Sequence, residues 1–133
     1  MNQPNARRPR VLIVEDDERL VLAIQDALSD VGYETKIATG GRAAIQSLAS
    51  GVLPDVIVLD LMMPLGSGFE VVNWLHQKRL AIPVVLSTQE DDIEAADVGA
   101  VVKLSKPYTL EKLLDSVATA LRTADDVTSK PPE

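Results

Sequence analysis

The feature that most constrains this chain is a fivefold alternation of short apolar runs with helical apolar stripes. Residues 11–14 (VLIV) and 56–59 (VIVL) are runs of four apolar residues with no polar residue between them. Such runs are typical of strands that are buried on both faces. After the first run, apolar residues between Leu20 and Val31 recur at helical spacing, and Gly32 follows them. This alternation predicts an α/β fold in which helices cover both faces of a parallel sheet.

Five strand–helix units can be placed along the chain. Right-handed crossovers between parallel strands leave only a few topologies for such a chain. Strands are expected at 11–14, 33–38, 56–59, 84–87 and 101–104. Helices are expected over 20–31, from a Thr39 cap to about residue 50, around 69–75, and over 110–121, with only a short acidic helix within 90–97.

The two ends of the chain lack this periodicity. We interpret residues 1–9 and 123–133 as flexible tails on one domain that covers residues 10–122. Arg7, Arg8 and Arg10 form a small basic group, which we interpret as part of a solubilising tail. No strand or helix pattern follows the domain, so the chain is either a stand-alone protein or a fragment, and we favour the former.

Composition excludes several classes of protein. An apolar fraction of 46% in 133 residues argues against a disordered chain, and the absence of cysteine excludes disulfides and thiolate chemistry. No apolar run approaches the ~18 residues of a membrane span, and the N-terminus lacks a signal-peptide core. The net charge of −7 disfavours direct binding to nucleic acid. We expect a cytoplasmic protein that contacts neither membrane nor nucleic acid.

Polar residues follow four of the predicted strands. In parallel α/β sheets, ligands bind outside the carboxyl ends of the strands, where the winding direction reverses. Residues at those ends are therefore candidates for a site. They are Glu15, Asp16 and Asp17 after strand one, Asp60 after strand three, Ser87 and Thr88 at strand four, and Lys106 after strand five.

These residue types together suit phosphoryl transfer. If strands one and three are neighbours, Asp16, Asp17 and Asp60 converge and repel one another, which a hard cation such as Mg²⁺ relieves. The Lys106 ammonium and the Thr88 hydroxyl can stabilise charge on a phosphoryl group. Asp60 can then act as the nucleophile that forms an aspartyl phosphate.

Each residue alone has a simpler explanation. Asp16 and Asp17 before a helix are typical N-cap residues, and Lys106-Pro107 is an ordinary turn sequence. Only the joint occurrence of these residues at four strand ends favours a site. His76, the single histidine, is interpreted as a surface or boundary residue, and Phe69 and Trp74 as packing residues.

Four segments, VLIVEDDE, DVIVLDLMMP, PVVLST and KLSKPY, resemble the motifs of the receiver domain of two-component response regulators. The resemblance covers about residues 9–122. It implies a flavodoxin-like (βα)₅ fold, a doubly wound parallel five-stranded sheet with strand order 2-1-3-4-5.

The resemblance also implies roles for residues at the site. Asp60 is then the phosphorylation site and a metal ligand. Asp17 is implied as a direct Mg²⁺ ligand, Asp16 as a ligand through water, and Met62 as a ligand through its backbone carbonyl. Thr88 and Lys106 are implied to bond the phosphoryl group, with Thr88 shifting on activation and a cis bond between Lys106 and Pro107.

Three departures from the family pattern bear on how the chain would work. Gln89 stands where the family has a small residue, which predicts slower phosphotransfer and slower hydrolysis. Lys103 replaces the aromatic switch residue, so the usual coupling to Thr88 cannot operate. Residues 88–99 are about one helical turn shorter than usual, which predicts a shortened fourth helix and argues against the common symmetric dimer on that face.

Two functions remain open at this point. The first is a phosphorelay receiver that takes a phosphoryl group from a histidine kinase or a histidine phosphotransfer protein and signals to a downstream protein partner. Its only catalysis would be its own phosphotransfer and dephosphorylation. The alternative is a phospho-independent interaction module, which Gln89, Lys103 and the short helix favour. An aspartate-nucleophile phosphatase is disfavoured because Met62 stands where its second Asp is expected, and a flavin protein because the acidic residues would repel phosphate.

Overall fold

Five strands and four α-helices alternate along the chain, with one 3-10 helix before the last strand. A computed structural model describes residues 7–64 and 67–129, and the side chains of the last helix up to residue 124. The elements are β1 Arg10–Val14, α1 Glu18–Asp30, β2 Glu34–Ala38, α2 Gly41–Ala49, β3 Val56–Asp60, α3 Gly68–Gln77, β4 Val84–Thr88, the 3-10 helix Ala95–Val98, β5 Val102–Ser105 and α4 Leu110–Ser129. None of the described helices is both long enough and apolar enough to cross a membrane.

The five strands form one parallel sheet in the order β2-β1-β3-β4-β5. The fold class and strand order predicted from the sequence are therefore confirmed. Alternate residues of each strand face opposite helical layers. Leu12 and Val14 pack in one cluster with residues of α2 and α3, whereas Val11 and Ile13 pack in a second with residues of α1 and α4.

The fourth helix is even shorter than the sequence indicated. Residues 90–94 are not helical. The next four residues, Ala95–Val98, form a 3-10 helix. Glu94 and Asp97 close its N-terminus as a capping box. Gly99 ends it in the left-handed conformation, at a φ of 72°. The predicted short helix is confirmed, but it is of the 3-10 type and begins only at Ala95, since residues 91 and 92 form a turn.

Two other boundaries differ from expectation. The predicted Thr39 cap is wrong: Gly40 is the N-cap of α2, and no side chain caps that end. The predicted tail is wrong over residues 123–129, which continue α4. No Gly or Pro interrupts the sequence before Pro131, and the Thr123 hydroxyl donates to the Thr119 carbonyl inside the helix. The remaining tail residues, 1–6 and 130–133, lie outside the described residues.

The basic group at the N-terminus forms ion pairs rather than a free tail. Arg7 contacts the Asp55 carboxylate through both terminal nitrogens, at 2.9 and 3.1 Å, and the Arg10 amide donates to the same carboxylate at 2.7 Å. Arg10 also pairs with Glu34 at 3.1 Å. These contacts tie the chain before β1 to the segment before β3.

Stability should depend on the Asp55 carboxylate at acid pH. Partial burial alone would raise the pKa of Asp55, but the hydrogen bonds and charges of Arg7 and Arg10 outweigh it and lower the pKa. A lowered pKa in the folded state stabilises the protein above the unfolded value of about 4, and that contribution is lost as the pH falls through the folded pKa. Unfolding by urea between pH 7 and pH 2 should show wild type losing its advantage over Asp55→Asn below about pH 4. A constant difference across this range would contradict the expectation.

Candidate functional site

Three carboxylates meet at the carboxyl ends of β1 and β3. Oxygen atoms of Glu15, Asp16 and Asp60 all lie within 4.8 Å of one another. The sheet register explains the first contact, because Val14 pairs with Leu59 and the next residues, Glu15 and Asp60, therefore stand side by side. The Glu15 amide still donates to the Ala38 carbonyl at 3.1 Å, so Glu15 continues the sheet by one residue.

A lysine from β5 neutralises part of this cluster. Lys106 Nζ lies 2.8 Å from Glu15 Oε1 and 3.3 Å from Asp60 Oδ2. Both acids are buried, with exposed fractions of 2% for Glu15 and 6% for Asp60. Burial alone would lower the pKa of Lys106, but the two carboxylates outweigh burial and raise it. The lysine therefore carries its charge at neutral pH, between two acids that water hardly reaches.

Backbone amides hold the carboxylates in place. Met62 N donates to Asp60 Oδ1 at 3.1 Å, and the amides of Asp16 and Asp17 donate to Glu15 Oε2 at 3.1 and 3.2 Å. The loop after β3 folds back closely on Asp60, since a Cβ atom on Gly68 would lie 2.6 Å from the Asp60 carbonyl oxygen. This position accommodates glycine only, and it fixes the backbone that carries Asp60.

The structure separates Asp17 from the cluster. Asp17 is the N-cap of α1, where its Oδ1 accepts from Arg19 N at 3.1 Å and from Leu20 N at 3.3 Å. The helix-cap interpretation is confirmed for Asp17, and the placement of this residue with Asp60 is wrong. Asp16 does join the cluster, and Glu15, which was not among the proposed ligands, takes the remaining place.

Residues of β4 and β5 form the other side of the site. Thr88 is buried; its Oγ1 accepts from Glu90 N at 3.0 Å, and its carbonyl accepts from Lys106 N at 2.9 Å. The Lys106–Pro107 peptide bond is cis, as the family resemblance implied. Lys103, at the position of the expected aromatic residue, donates through Nζ to the Asp91 carbonyl at 3.3 Å. Thr88 and Lys103 thus hold neighbouring parts of the same loop.

Other predicted residues lie at the edge of the site or away from it. The side chains of Met62 and Gln89 are exposed. His76 is exposed, as predicted, and Trp74 packs partly buried against the core. Phe69 is 40% exposed, so its interpretation as a packing residue is wrong.

Two buried hydroxyls lie at the same end of the sheet as the carboxylates. Among the described residues, Ser87 Oγ and Tyr108 Oη are buried and have no hydrogen-bond partner of standard geometry. Burial raises the pKa of Tyr108, and the nearby Ser87 hydroxyl opposes this shift without meeting hydrogen-bond geometry. Tyr108 follows Lys106 by two residues, and the charges of Lys106, Glu15 and Asp60 also act on its pKa.

The arrangement favours binding a hard cation and an anionic group. Oxygen donors from Glu15, Asp16 and Asp60 are the ligand type that Mg²⁺ prefers, and Asp16 is exposed, so the cluster is open to solvent on one side. The Lys106 ammonium supplies a fixed positive charge 3.3 Å from the Asp60 carboxylate. A cation site, an ammonium group and a carboxylate in one place can together stabilise negative charge on a group that is being transferred.

Comparison with known proteins gives consistent relatives. The sequence profile of the family described as "Response regulator receiver domain" matches residues 11–118. The response regulator MprA of Mycolicibacterium vanbaalenii is 37% identical over 88% of this chain and 53% of that protein. The "DNA-binding dual master transcriptional regulator RpaA" of a Synechocystis species is 35% identical over 90% of this chain and 52% of that protein. The chain thus spans about half the length of these two relatives.

Solved structures agree with this result. The chemotaxis protein CheY4 of Vibrio cholerae superposes with a TM-score of 0.76 at 32% identity, covering 86% of this chain and 99% of that one. The receiver domain of the Francisella response regulator 1452 superposes with a TM-score of 0.80 at 27% identity, covering 88% and 99%.

Proposed function

The chain belongs to the response regulator receiver domain family, and on that premise we propose that it accepts a phosphoryl group on Asp60 within a two-component phosphorelay. The observation that carries the proposal is the contact of Lys106 Nζ with the buried Asp60 carboxylate, at 3.3 Å, inside the cluster of Glu15 and Asp16. A nucleophilic carboxylate, a fixed ammonium and an acidic cation site thus occur together at one edge of the sheet.

In the transfer step, the Asp60 carboxylate attacks the phosphorus of a phosphohistidine on a histidine kinase or a histidine phosphotransfer protein. The new oxygen–phosphorus bond forms as the nitrogen–phosphorus bond breaks, and the electron pair of that bond stays on the donor imidazole. Lys106 then moves from its pairing with both acids toward the phosphoryl oxygens, where it offsets the added negative charge. Water later hydrolyses the acyl phosphate and returns Asp60 to its carboxylate form.

Glu15, Asp16 and Asp60, with the backbone carbonyl of Met62, would hold Mg²⁺ at this site. When bound, the ion offsets negative charge on the phosphoryl oxygens. In this assignment Glu15 replaces Asp17, because Asp17 caps α1.

The signal would pass through the loop that follows β4. If the Thr88 hydroxyl turns to a phosphoryl oxygen, Glu90 N loses the acceptor that it has at 3.0 Å. Lys103 holds the next residue, Asp91, through its carbonyl. We infer that this loop, together with the short 3-10 helix, presents the change to a downstream protein partner in the cytoplasm. No catalysis beyond self-phosphotransfer and dephosphorylation, and no contact with nucleic acid or membrane, is assigned to this chain.

Intact-mass spectrometry after incubation with acetyl phosphate tests the proposal. Wild type should gain the mass of one phosphoryl group only when Mg²⁺ is present, and Asp60→Asn should gain none. Beryllofluoride, which is smaller than most donors, serves as a second probe if Gln89 excludes acetyl phosphate. Failure of wild type with both reagents would favour the phospho-independent interaction module, in which Lys106 stays paired with Glu15 and Asp60.

A matched pair of variants separates the metal ligand from the helix cap. We expect Asp16→Asn to weaken Mg²⁺ binding by about 10-fold or more, because one of the three clustered carboxylates loses its charge. Asp17→Asn should keep the Mg²⁺ affinity within about threefold of the wild-type value, since asparagine is an equally good N-cap. Calorimetric titration with MgCl₂ measures both constants. A larger loss in Asp17→Asn than in Asp16→Asn would return the ligand role to Asp17.

Gln89 provides a test of the small-residue position. Its exposed side chain follows Thr88 directly, where it can obstruct a donor or an attacking water. We expect Gln89→Ala to raise both the rate of phosphorylation by acetyl phosphate and the rate of autodephosphorylation by about threefold, a change of ~0.6 kcal/mol in each barrier. Unchanged rates for both steps would show that Gln89 does not restrict the site.

A further inference from the structure

The two buried hydroxyls, Ser87 Oγ and Tyr108 Oη, have no role in the function proposed so far. Both are buried without a partner of standard geometry among the described residues. A buried hydroxyl without a hydrogen bond is costly, and such groups in a folded protein call for an explanation. Their position next to a reactive cluster makes a functional explanation worth testing.

The sheet register places Ser87 directly beside the phosphoacceptor. Ser87 of β4 pairs with Asp60 of β3 on one side and with Leu104 of β5 on the other. Neighbouring residues of parallel strands point to the same face of the sheet. Leu104 belongs to the cluster under α1 and α4, and Tyr108 packs against that same cluster. Ser87 and Tyr108 therefore lie on the same face of the sheet, the one covered by α1 and α4, at the end that carries Asp60.

Tyr108 also lies at one end of the loop that carries the reactive lysine. Before the loop, Lys106 N donates to the Thr88 carbonyl at 2.9 Å. After the loop, the Tyr108 ring is packed into the core cluster. Lys106 itself makes the first attachment and lies two residues before the second, so a shift of the Tyr108 ring would move the lysine relative to Asp60.

We propose that Ser87 and Tyr108 form a hydroxyl pair that positions Lys106 for phosphoryl transfer, which makes Tyr108 a positioning residue. The proposal rests on the proposed function of Asp60. In this proposal the two hydroxyls hydrogen-bond to each other, and this bond restrains the backbone that carries Lys106. Ser87 lies on β4 beside Asp60, and Tyr108 lies two residues after Lys106. The pair therefore links the strand next to Asp60 with the loop that carries Lys106.

Phosphorylation kinetics of Tyr108→Phe, Ser87→Ala and the double variant test this role. At saturating acetyl phosphate, each single variant should lower the maximal rate about fivefold, and the double variant should be no slower than either. In each variant, the Mg²⁺ affinity and the acetyl phosphate concentration at half-maximal rate should stay within about twofold of the wild-type values. A general structural defect would change these two quantities as well. Ser87→Thr, which keeps the hydroxyl, should restore the rate. Additive losses, unchanged rates or failure of Ser87→Thr to restore the rate would overturn the proposal.

A second readout keeps this inference separate from the proposed function. A hydrogen-bonded Tyr108 hydroxyl proton should exchange slowly with water and give a resolved NMR signal at low temperature, and Ser87→Ala should remove that signal. Tyr33, the only other tyrosine, serves as the internal reference. If wild type takes up no phosphoryl group, the proposed function fails and this signal alone decides the hydroxyl pair. A signal that is absent in wild type, or unaffected in Ser87→Ala, would overturn the pair in either case.

Discussion

Replacement of Lys106 with methionine is expected to slow phosphorylation of Asp60 by acetyl phosphate about 100-fold, because the site loses its only fixed charge-stabilising donor among the described side chains of the cluster. The same change removes the partner of two buried acids. Lys106 itself is 15% exposed, and Glu15 and Asp60 are buried further. In Mg²⁺-free buffer we expect the free energy of unfolding to fall by on the order of 3 kcal/mol.

Mg²⁺ should affect Lys106→Met and wild type differently. Without the competing ammonium, the carboxylates attract a cation more strongly, so we expect tighter Mg²⁺ binding and partial recovery of stability as MgCl₂ is added. Urea unfolding with and without Mg²⁺ measures this recovery. Lys103→Met is the matched control, since Lys103 lies on β5, three residues before Lys106, and contacts only the Asp91 carbonyl in the described hydrogen bonds. Equal kinetic losses in both variants would show that Lys106 has no special role.

The second large effect is expected for Gly68→Ala. The added Cβ would lie 2.6 Å from the Asp60 carbonyl oxygen and 2.8 Å from Leu61 Cα, distances that only a backbone shift can relieve. Gly68 N also donates to the Leu61 carbonyl at 3.0 Å, so the two segments are held together at this point. We expect the free energy of unfolding to fall by about 3 kcal/mol and phosphorylation to slow, because the backbone of Asp60 must move.

Gly51→Ala is the control for Gly68→Ala. Gly51 has a φ of 93° and no atom within 4 Å of an added Cβ, so the substitution introduces backbone strain without a steric clash. We expect it to cost about 1 kcal/mol and to leave phosphorylation unchanged. Urea denaturation and initial phosphorylation rates, measured for both variants, separate strain from crowding. A normal phosphorylation rate in Gly68→Ala would show that the close approach does not position Asp60.

The strands could be predicted because continuous apolar runs report burial on both faces, which is a property of the sequence itself, whereas their order was implied only by the resemblance to receiver domains. The membership of the acidic cluster could not, because it depends on which residues stand side by side across two strands. Asp17 looked equivalent to Asp16 in the sequence. A signal was nevertheless present: Glu15 and Asp60 each follow an apolar run of four residues, at 11–14 and 56–59, so equal register brings them together.

The end of α4 was missed for a different reason. The sequence criterion was an apolar stripe, and the stripe weakens after Leu121. Helix propensity and the absence of Gly or Pro continue the helix to Ser129 without that stripe. The Ser87 and Tyr108 pair was equally out of reach, since the two positions are 21 residues apart and come to the same face of the sheet only through the register of β4 and β5 (108 minus 87).

The ion pairs of Lys106 with Glu15 and Asp60 also bear on how this domain folds. Lys106 joins acids that lie 91 and 46 residues before it in the chain, so the cluster is neutralised only after the last strand has taken its place. Pairings between such distant segments form late, because a long loop must close before they contribute. A chain that lacks β5 would expose Glu15 and Asp60 as unpaired acids and would offer a donor no lysine. On the proposed function of Asp60, uptake of a phosphoryl group would therefore report that folding is complete, and a donor kinase would leave unfinished chains unphosphorylated.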